Sequence, residues 1–288
     1  MSQTALSPSS SSSNAELNSL TAPLNYIRRQ TEKPAFLSAA LTGGAAELKF
    51  ETETHAAMIA DMRPLSGGLS VDREGFELLG HTTGVDDLYD DDAVRGPYYA
   101  EIEELLKNHL GASRVVIFDA TRRAVSKSGA VNPDGRRGPA GRIHVDYTVN
   151  SGPQRLADVV GAAEAERLES NGTRVAQINV WRPIRGPVIR SPLALADAAS
   201  IAPEDLIATD QIFPDRTGEI YHLAYSPSQR WYFAPDMHPD EVLLIKGWDT
   251  RDGSTARFTP HTAFDPPAML TGAAARESIE VRTFVIFE

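Results

Sequence analysis

The sequence contains no cysteine. Disulfide-stabilised folds, cysteine-ligated zinc, iron–sulfur clusters and thiol catalysis are therefore excluded, and any metal site must use histidine, aspartate or glutamate. Basic residues are also scarce: 28 Lys and Arg stand against 39 Asp and Glu, and the net charge is −11. This balance argues against nucleic acid or an anionic membrane surface as the main partner, because both require a basic face.

Long apolar runs are missing as well. No run approaches the roughly 18 residues of a membrane-spanning helix, and the N-terminus lacks the apolar block of a secretory signal. We therefore expect a cytoplasmic protein with a small-molecule substrate and no nucleic acid or membrane partner, and a homodimer stays open beside a monomer. Hydrophobic residues make up 41% of the 288 residues, which is a globular composition. Because the serine-rich start cannot bury apolar surface, we predict a frayed tail over residues 1–23 and one domain over residues 24–288.

Hydrophobic patterning predicts a mainly β fold with flanking helices (α+β). Helical spacing covers residues 98–110 and 153–170, and residues 124–141, rich in Gly, Pro, Ser and Arg, are expected to form a long loop. Strand-like segments occupy residues 114–120, 142–149, 175–181, 193–196, 219–225, 230–233, 241–248 and 278–287. Many short strands separated by Pro, Gly and Asp predict a β-sandwich or barrel with helices packed outside.

The first candidate for chemistry is the His144-Val-Asp146 segment. On a strand, residues two apart project to the same face, so the imidazole and the carboxylate converge. They supply two of the three ligands of a 2-His-1-carboxylate triad, which holds non-haem Fe(II) and leaves positions open. The pattern alone is weak, because histidine and aspartate often occur at this spacing for structural reasons.

A third ligand must come from far along the chain, and His222 and His261 are the serious candidates. Arg276 and Ser278 follow His261 and share a face of the last predicted strand. In oxygenases of this architecture, such a pair binds the distal carboxylate of 2-oxoglutarate by a charge-assisted contact and a hydroxyl hydrogen bond. This pattern favours His261. Arg282 lies on the same strand face and is the alternative partner of that carboxylate.

Several motifs resemble the fungal hydroxylase/desaturase family around AsaB, which is also related to a component of the bacterial cephalosporin 7α-methoxylase system. The most specific block is Asn179-Val-Trp-Arg-Pro-Ile-Arg-Gly-Pro-Val188, which Ser191-Pro-Leu-Ala-Leu-Ala-Asp197 follows. The resemblance runs from Leu24 to the C-terminus. Its further matches lie at residues 118–123, 144–147, 230–233, 240–246, 260–264 and 276–282.

The resemblance implies both a fold and an activity. Members of this family are regarded as Fe(II)/2-oxoglutarate-dependent oxygenases of secondary metabolism with a double-stranded β-helix core (jelly-roll, cupin-like). Residue by residue, it implies that His144, Asp146 and His261 bind the iron, and it is consistent with Arg276 and Ser278 as the 2-oxoglutarate site. With O2 as the second cosubstrate, a C–H bond of a small molecule would be hydroxylated, desaturated or cyclised.

Four further residues are candidates for substrate contact. Asn179 and Trp181 share a strand face and could line the pocket, with the amide near 2-oxoglutarate, although packing alone would also explain them. Arg122 and Arg123 follow a strand expected beside the His144 strand. One of them could bind a substrate carboxylate, and a surface ion pair is the alternative.

Two other functions compete with the oxygenase. One is a cupin-like metal enzyme that does not use 2-oxoglutarate. The other is a non-catalytic β-sandwich that binds a ligand and whose histidine and aspartate are incidental. Metal content separates the second from both enzymes, and oxygen-dependent formation of succinate separates the first from the oxygenase.

Overall fold

Two large β-sheets and one hairpin contain the seventeen strands found in the described part of the chain. The computed structural model describes residues 17–125, 130–132, 135–253, 256–267 and 273–288. The strands are β1 (Ser19–Ile27), β2 (Ala35–Leu37), β3 (Glu47–Leu48), β4 (Thr52–Asp61), β5 (Phe76–Gly80), β6 (Arg114–Ala124), β7 (Ala130–Asn132), β8 (Gly135–Arg137), β9 (His144–Val145), β10 (Arg174–Arg185), β11 (Leu193–Ala196), β12 (Leu206–Ile212), β13 (Thr217–Leu223), β14 (Trp231–Phe233), β15 (Glu241–Asp249), β16 (His261–Ala263) and β17 (Glu277–Phe287).

The helices are short, and those of the described residues all lie before residue 171 apart from 3₁₀ turns. They are α1 (Ala39–Thr42), α2 (Asp91–Ala93), α3 (Tyr99–Leu110), α4 (Ser151–Val160) and α5 (Ala162–Ser170), with a π-helical turn at Val94–Tyr98 and 3₁₀ turns at Arg63–Gly68, Ala198–Ser200 and Pro203–Asp205. Helix α3 ends at Gly111 in the left-handed conformation, as its sequence predicts. The single helix predicted over residues 153–170 is wrong: Gly161 has a φ of +90°, which interrupts it between α4 and α5.

The two sheets pack face to face. Helix α3 covers the outer face of the smaller sheet, whereas α4 and α5 pack against Val175 and Phe284 on its other face. The ten-stranded sheet has the order β1-β4-β14-β11-β16-β9-β13-β12-β2-β3, and the five-stranded sheet has the order β5-β15-β10-β17-β6. Strand β10 is central, and alternate residues face opposite sides. Val180 packs towards Ile102 and Leu106 of α3, whereas Trp181 packs towards Leu195 of the larger sheet. The predicted mainly β fold with helices packed outside is therefore confirmed.

Some local predictions differ from the structure. Strand β1 begins at Ser19, so the tail predicted over residues 1–23 is too long, and residues 1–16 lie outside the described residues. The single domain over residues 24–288 stays a prediction. The strand predicted over residues 142–149 contracts to His144–Val145, because the chain bends at Asp146 before α4. The loop predicted over residues 124–141 contains the β7–β8 hairpin.

A network of ion pairs links β10 and β15 to Asp72, which precedes β5. The ammonium group of Lys246 is fully buried and lies 2.8 Å from Oδ2 of Asp249 and 2.6 Å from Oδ1 of Asp72. Arg174 also pairs with both aspartates. Burial alone would raise the pKa of Asp72, but the hydrogen bonds from Arg174 and Lys246 lower it to about 2. Each buried charge is thus compensated within the network.

We predict that Lys246→Met lowers the free energy of unfolding by about 3 kcal/mol, because Asp249 stays buried with only Arg174 to compensate it. Urea unfolding at neutral pH measures this loss. The matched control is Arg28→Met, which removes an exposed pair with Glu51 and should cost less than about 1 kcal/mol. Equal losses in the two variants would contradict the role given to the network.

Candidate metal centre

Neighbouring strands bring two of the predicted ligands together. His144 on β9 is paired in register with His261 on β16, and the centroids of their rings are 4.5 Å apart. Asp146 follows β9 directly, and its Oδ1 lies 3.8 Å from Nε2 of His144. One ligand atom from each of the three residues lies within 4.8 Å of the others. Two imidazoles and one carboxylate at this separation could hold a divalent transition metal and leave further positions open.

His222 is close along the backbone but does not join this group. It is paired in register with His144 on the other side of β9. Its Nδ1, however, lies 3.0 Å from Oγ1 of Thr209, and its ring packs against Phe50 with the centroids 5.1 Å apart. Burial lowers the pKa of His222 to about 4, so the ring is neutral near pH 7. These contacts are those of a structural histidine in the core.

Backbone carbonyls orient both histidines of the group. Nδ1 of His144 lies 2.9 Å from the carbonyl oxygen of Arg142, and Nδ1 of His261 lies 3.0 Å from that of Thr259. If each Nδ1 donates its proton there, Nε2 keeps its lone pair for a metal. Burial, followed by the neighbouring His261, lowers the pKa of His144 to about 3. The ring is therefore in the neutral form that binds metals.

The smaller sheet holds the carboxylate of Asp146. Asn179 on β10, Arg282 on β17 and Asp119 on β6 are paired side by side across three strands. The amide of Asn179 donates to Oδ2 of Asp146 at 2.7 Å, and Nε of Arg282 lies 3.5 Å from the same oxygen. Burial alone would raise the pKa of Asp146, but the charge of Arg282 holds it well below its usual range. The structure thus places the amide of Asn179 on Asp146.

Arg282 forms ion pairs with three carboxylates. Its guanidinium lies 2.9 Å from Glu280 and 3.0 Å from Asp119, in addition to its contact with Asp146. Burial opposes its charge, yet Asp146 and Glu280 raise the pKa of Arg282 further above its usual range. A guanidinium with three carboxylate partners is poorly suited to bind a fourth from a cosubstrate. The sequence placed Arg282 on the correct strand face but gave no indication of its contact with Asp146.

Arg276 has the opposite environment. Its side chain is buried, its Nη1 donates to the carbonyl oxygen of Ser191 at 2.6 Å, and its Nε is buried with no partner. The guanidinium carbon lies 5.7 Å from the ring centroid of Trp181. No carboxylate of the described residues forms an ion pair with it, and burial, followed by the charge of Arg123, lowers the pKa of Arg276 to about 9. A buried cation without a counter-ion is costly, so this site fits an anionic ligand.

Comparisons with known proteins place this arrangement in a family. A sequence model described as "Oxidoreductase/YMDC permease-like domain" matches residues 24–286. The hydroxylase/desaturase EfuI of Hormonema carpetanum is 32% identical over 286 residues, which cover 92% of this chain and 94% of that protein. The chain belongs to this family of Fe(II)/2-oxoglutarate-dependent oxygenases. The resemblance to the hydroxylase/desaturase family is thereby confirmed.

Two further relatives agree with the oxygenase assignment. The Fe(II)/2-oxoglutarate-dependent dioxygenase NvfI of Aspergillus novofumigatus is 30% identical over 250 residues, which cover 84% of this chain and 87% of that protein. A solved structure of the iron and alpha-ketoglutarate-dependent endoperoxidase NvfI superposes with a TM-score of 0.83 at 26% identity, over 93% of this chain and 98% of that chain. The hydroxylase/desaturase AsaB of Aspergillus flavus is 43% identical over 147 residues, 46% of this chain and 63% of that protein.

These relatives confirm the double-stranded β-helix expected for the oxygenase. They also decide against the non-catalytic ligand-binding protein and against a cupin-like enzyme that does not use 2-oxoglutarate. Within the residues that the structure describes, no helix is both long and apolar enough to cross a membrane.

A narrow cavity of the oxygenase joins the two histidines of the candidate metal group to Arg276. Its walls include His144, His261, Trp181, Arg276 and Glu280, and Arg123 also reaches it. The predicted cosubstrate arginine and two of the predicted ligands, His144 and His261, therefore face one space. Trp181, predicted to line a pocket, is part of this wall.

The remaining predicted residues lie at different distances from this cavity. Ser278 is buried beside it, and its hydroxyl makes only a long contact of 3.5 Å with the carbonyl of Arg123. Arg122 points away: its Nε donates to the carbonyl oxygen of Leu88 at 2.6 Å, and its Nη1 pairs with Asp91 at 2.7 Å. Arg122 and Arg123 point to different sides because consecutive strand residues face opposite sides of a sheet. The contacts of Arg122 stabilise the position of α2.

We predict that Asn179→Ala lowers the affinity for Mn(II) about 10–100-fold, because Asp146 loses the amide that orients its carboxylate. Isothermal titration of the metal-free protein measures this change. The control is Asn150→Ala, whose amide contacts Glu219 at 3.2 Å and not the metal-ligating group. Unchanged affinity in Asn179→Ala would show that the carboxylate needs no support from the smaller sheet.

Proposed function

We propose that this oxygenase uses Fe(II), 2-oxoglutarate and O2 to oxidise a C–H bond of a small molecule in secondary metabolism. The observation that carries the proposal is the buried guanidinium of Arg276, which has no ion-pair partner among the described residues and lies in the same cavity as two imidazoles of the candidate group. The names of the relatives support it, since they include hydroxylase/desaturases and an endoperoxidase. A cytoplasmic location and a homodimer stay predictions.

His144, Asp146 and His261 would hold the iron through two imidazole nitrogens and one carboxylate oxygen. The donor set fits Fe(II), because two neutral imidazoles and one carboxylate leave positions for a cosubstrate and oxygen. Bound iron would supply the activation of O2, with 2-oxoglutarate as the co-reductant. The chain supplies the orientation: the carbonyls of Arg142 and Thr259 fix the rings, and Asn179 with Arg282 fixes the carboxylate.

Arg276 would pair with the distal carboxylate of 2-oxoglutarate. Its Nε has no partner in the described protein, and a bidentate contact with a carboxylate would satisfy it. The indole of Trp181 would form one wall of the site. Ser278 is two residues beyond Arg276 on the same strand face, and its hydroxyl would add a hydrogen bond. Arg282 would stay with Asp146 and Glu280 and so keep the ligand carboxylate in place.

The chain also encloses the proposed cosubstrate site. The cavity lies between the two sheets, and its lining includes Leu193 and Ala263 beside the polar groups. Excluding water strengthens the contact between a guanidinium and a carboxylate and protects a reactive intermediate from side reactions. The chain would thereby position the cosubstrate before the organic substrate reacts.

We predict that His261→Ala abolishes metal binding and turnover, whereas His222→Ala retains both. His261 is within the three-ligand group, and His222 is held by Thr209 and Phe50. Metal content after loading with Fe(II) under anaerobic conditions, followed by succinate formation in air, measures the two effects. If His222→Ala loses the metal and His261→Ala keeps it, the ligand assignment is wrong. Circular dichroism should verify that both variants are folded.

We also predict that Arg276→Gln raises the KM for 2-oxoglutarate by about two to three orders of magnitude, since it removes the only counter-charge proposed for a buried carboxylate. Lys at this position should restore only part of the affinity, because it lacks the planar fork. Succinate formation at varied 2-oxoglutarate gives the constant. A strong effect in Arg282→Gln together with none in Arg276→Gln would move the cosubstrate to the other arginine.

A further inference from the structure

A cleft of about 620 Å³ opens beside His144 and contains no acidic side chain among the described residues that line it. Its charged groups are the guanidinium groups of Arg123 and Arg142, and its neutral polar groups include Asn25, Thr52 and Gln211. The whole chain has 39 acidic and 28 basic residues. Among the described lining residues the only charged side chains are cationic, which is a local departure from the charge of the molecule, and such a field favours anions.

Arg142 is the cation in this cleft that the protein leaves uncompensated. Its guanidinium forms no ion pair or hydrogen bond with any described residue, and only its backbone carbonyl is engaged, by His144. The residue is exposed to solvent and lines the cleft. Arg123, by contrast, donates to the carbonyl oxygen of Gly138 at 2.9 Å. Arg142 is thus placed to pair with a group from outside the chain.

The neighbouring cleft on the other side of the metal-ligating group has a different charge. It measures about 690 Å³, is bounded by Asp146 and Arg282, and contains Asp158, Asp210 and Glu219 besides its arginines. The two clefts share Gln211 and Ile220, so they adjoin. Lys33 pairs with both Asp210 and Glu219, so these carboxylates repel an anion only in part. The cleft beside His144 has no carboxylate in its described lining and is therefore the more favourable of the two for the anionic end of a ligand.

We propose that the organic substrate is an acid, and that its anionic group pairs with Arg142 in the cleft beside His144. This inference rests on the proposed function, because it takes His144 as a metal ligand and so places the cleft next to the reacting centre. A guanidinium can bind a carboxylate through two parallel hydrogen bonds, which fixes orientation as well as position. Holding the acid group at Arg142 would select the C–H bond that faces the metal.

The test compares 2-naphthoate with its methyl ester as probes for the metal-free protein, by isothermal titration. We expect the acid to bind the unmodified protein about tenfold more tightly than the ester, as one charge-assisted pair would give. Arg142→Gln should remove this preference, and Arg142→Lys should retain part of it. Because the guanidinium contacts no described residue, both variants should fold, which circular dichroism verifies.

Two control variants locate the probe. Arg155→Gln alters an arginine of the neighbouring cleft and should leave the preference unchanged. Arg276→Gln tests whether the acid binds in the cosubstrate cavity instead. Three results would overturn the proposal: equal affinity of the unmodified protein for acid and ester, loss of the preference in Arg276→Gln with retention in Arg142→Gln, or loss of it in Arg155→Gln. The assay uses no metal and no turnover, so its outcome is separate from that of the proposed function.

Discussion

The carboxylate of Asp146 connects the two sheets, because Asn179 and Arg282 of the smaller sheet hold it beside the two histidines of the larger one. Strand β9 contains only two residues, so the strand itself cannot fix an aspartate beyond its end. The paired row of side chains on β10, β17 and β6 provides that constraint from across the core. The geometry of the three-ligand group thus depends on the packing of one sheet against the other.

Charge compensation distinguishes the arginines of the site. Arg282 is surrounded by three carboxylates and is committed to structure, whereas Arg276 and Arg142 have no carboxylate partner among the described residues. Arg276 is buried in the cavity beside His144 and His261, and Arg142 lies in the open cleft. The cosubstrate would place a carboxylate at Arg276, and an acidic substrate would place its anionic group at Arg142. The acidic net charge of the chain therefore conceals a local preference for anions.

Much of the fold and the ligand group could be predicted from the sequence. Strand β11 was predicted with its observed bounds, and the spacing of His144 and Asp146 indicated a shared site. Strand β16 was not predicted, because three residues carry too little periodicity, and its position depends on pairing with β9 and β11. The contacts of Arg122 and Arg282 were also beyond the sequence. Which partner an arginine meets is decided by register between strands that are far apart in the chain.

The central claim is that iron and 2-oxoglutarate bind together in the cavity formed by His144, His261 and Arg276. The most direct measurement is the visible absorption spectrum of the oxygen-free protein during addition of Fe(II) and then 2-oxoglutarate. The account predicts a weak charge-transfer band that appears only when both are present and saturates at one equivalent of each. Absence of the band from folded protein that has bound both Fe(II) and 2-oxoglutarate would contradict it.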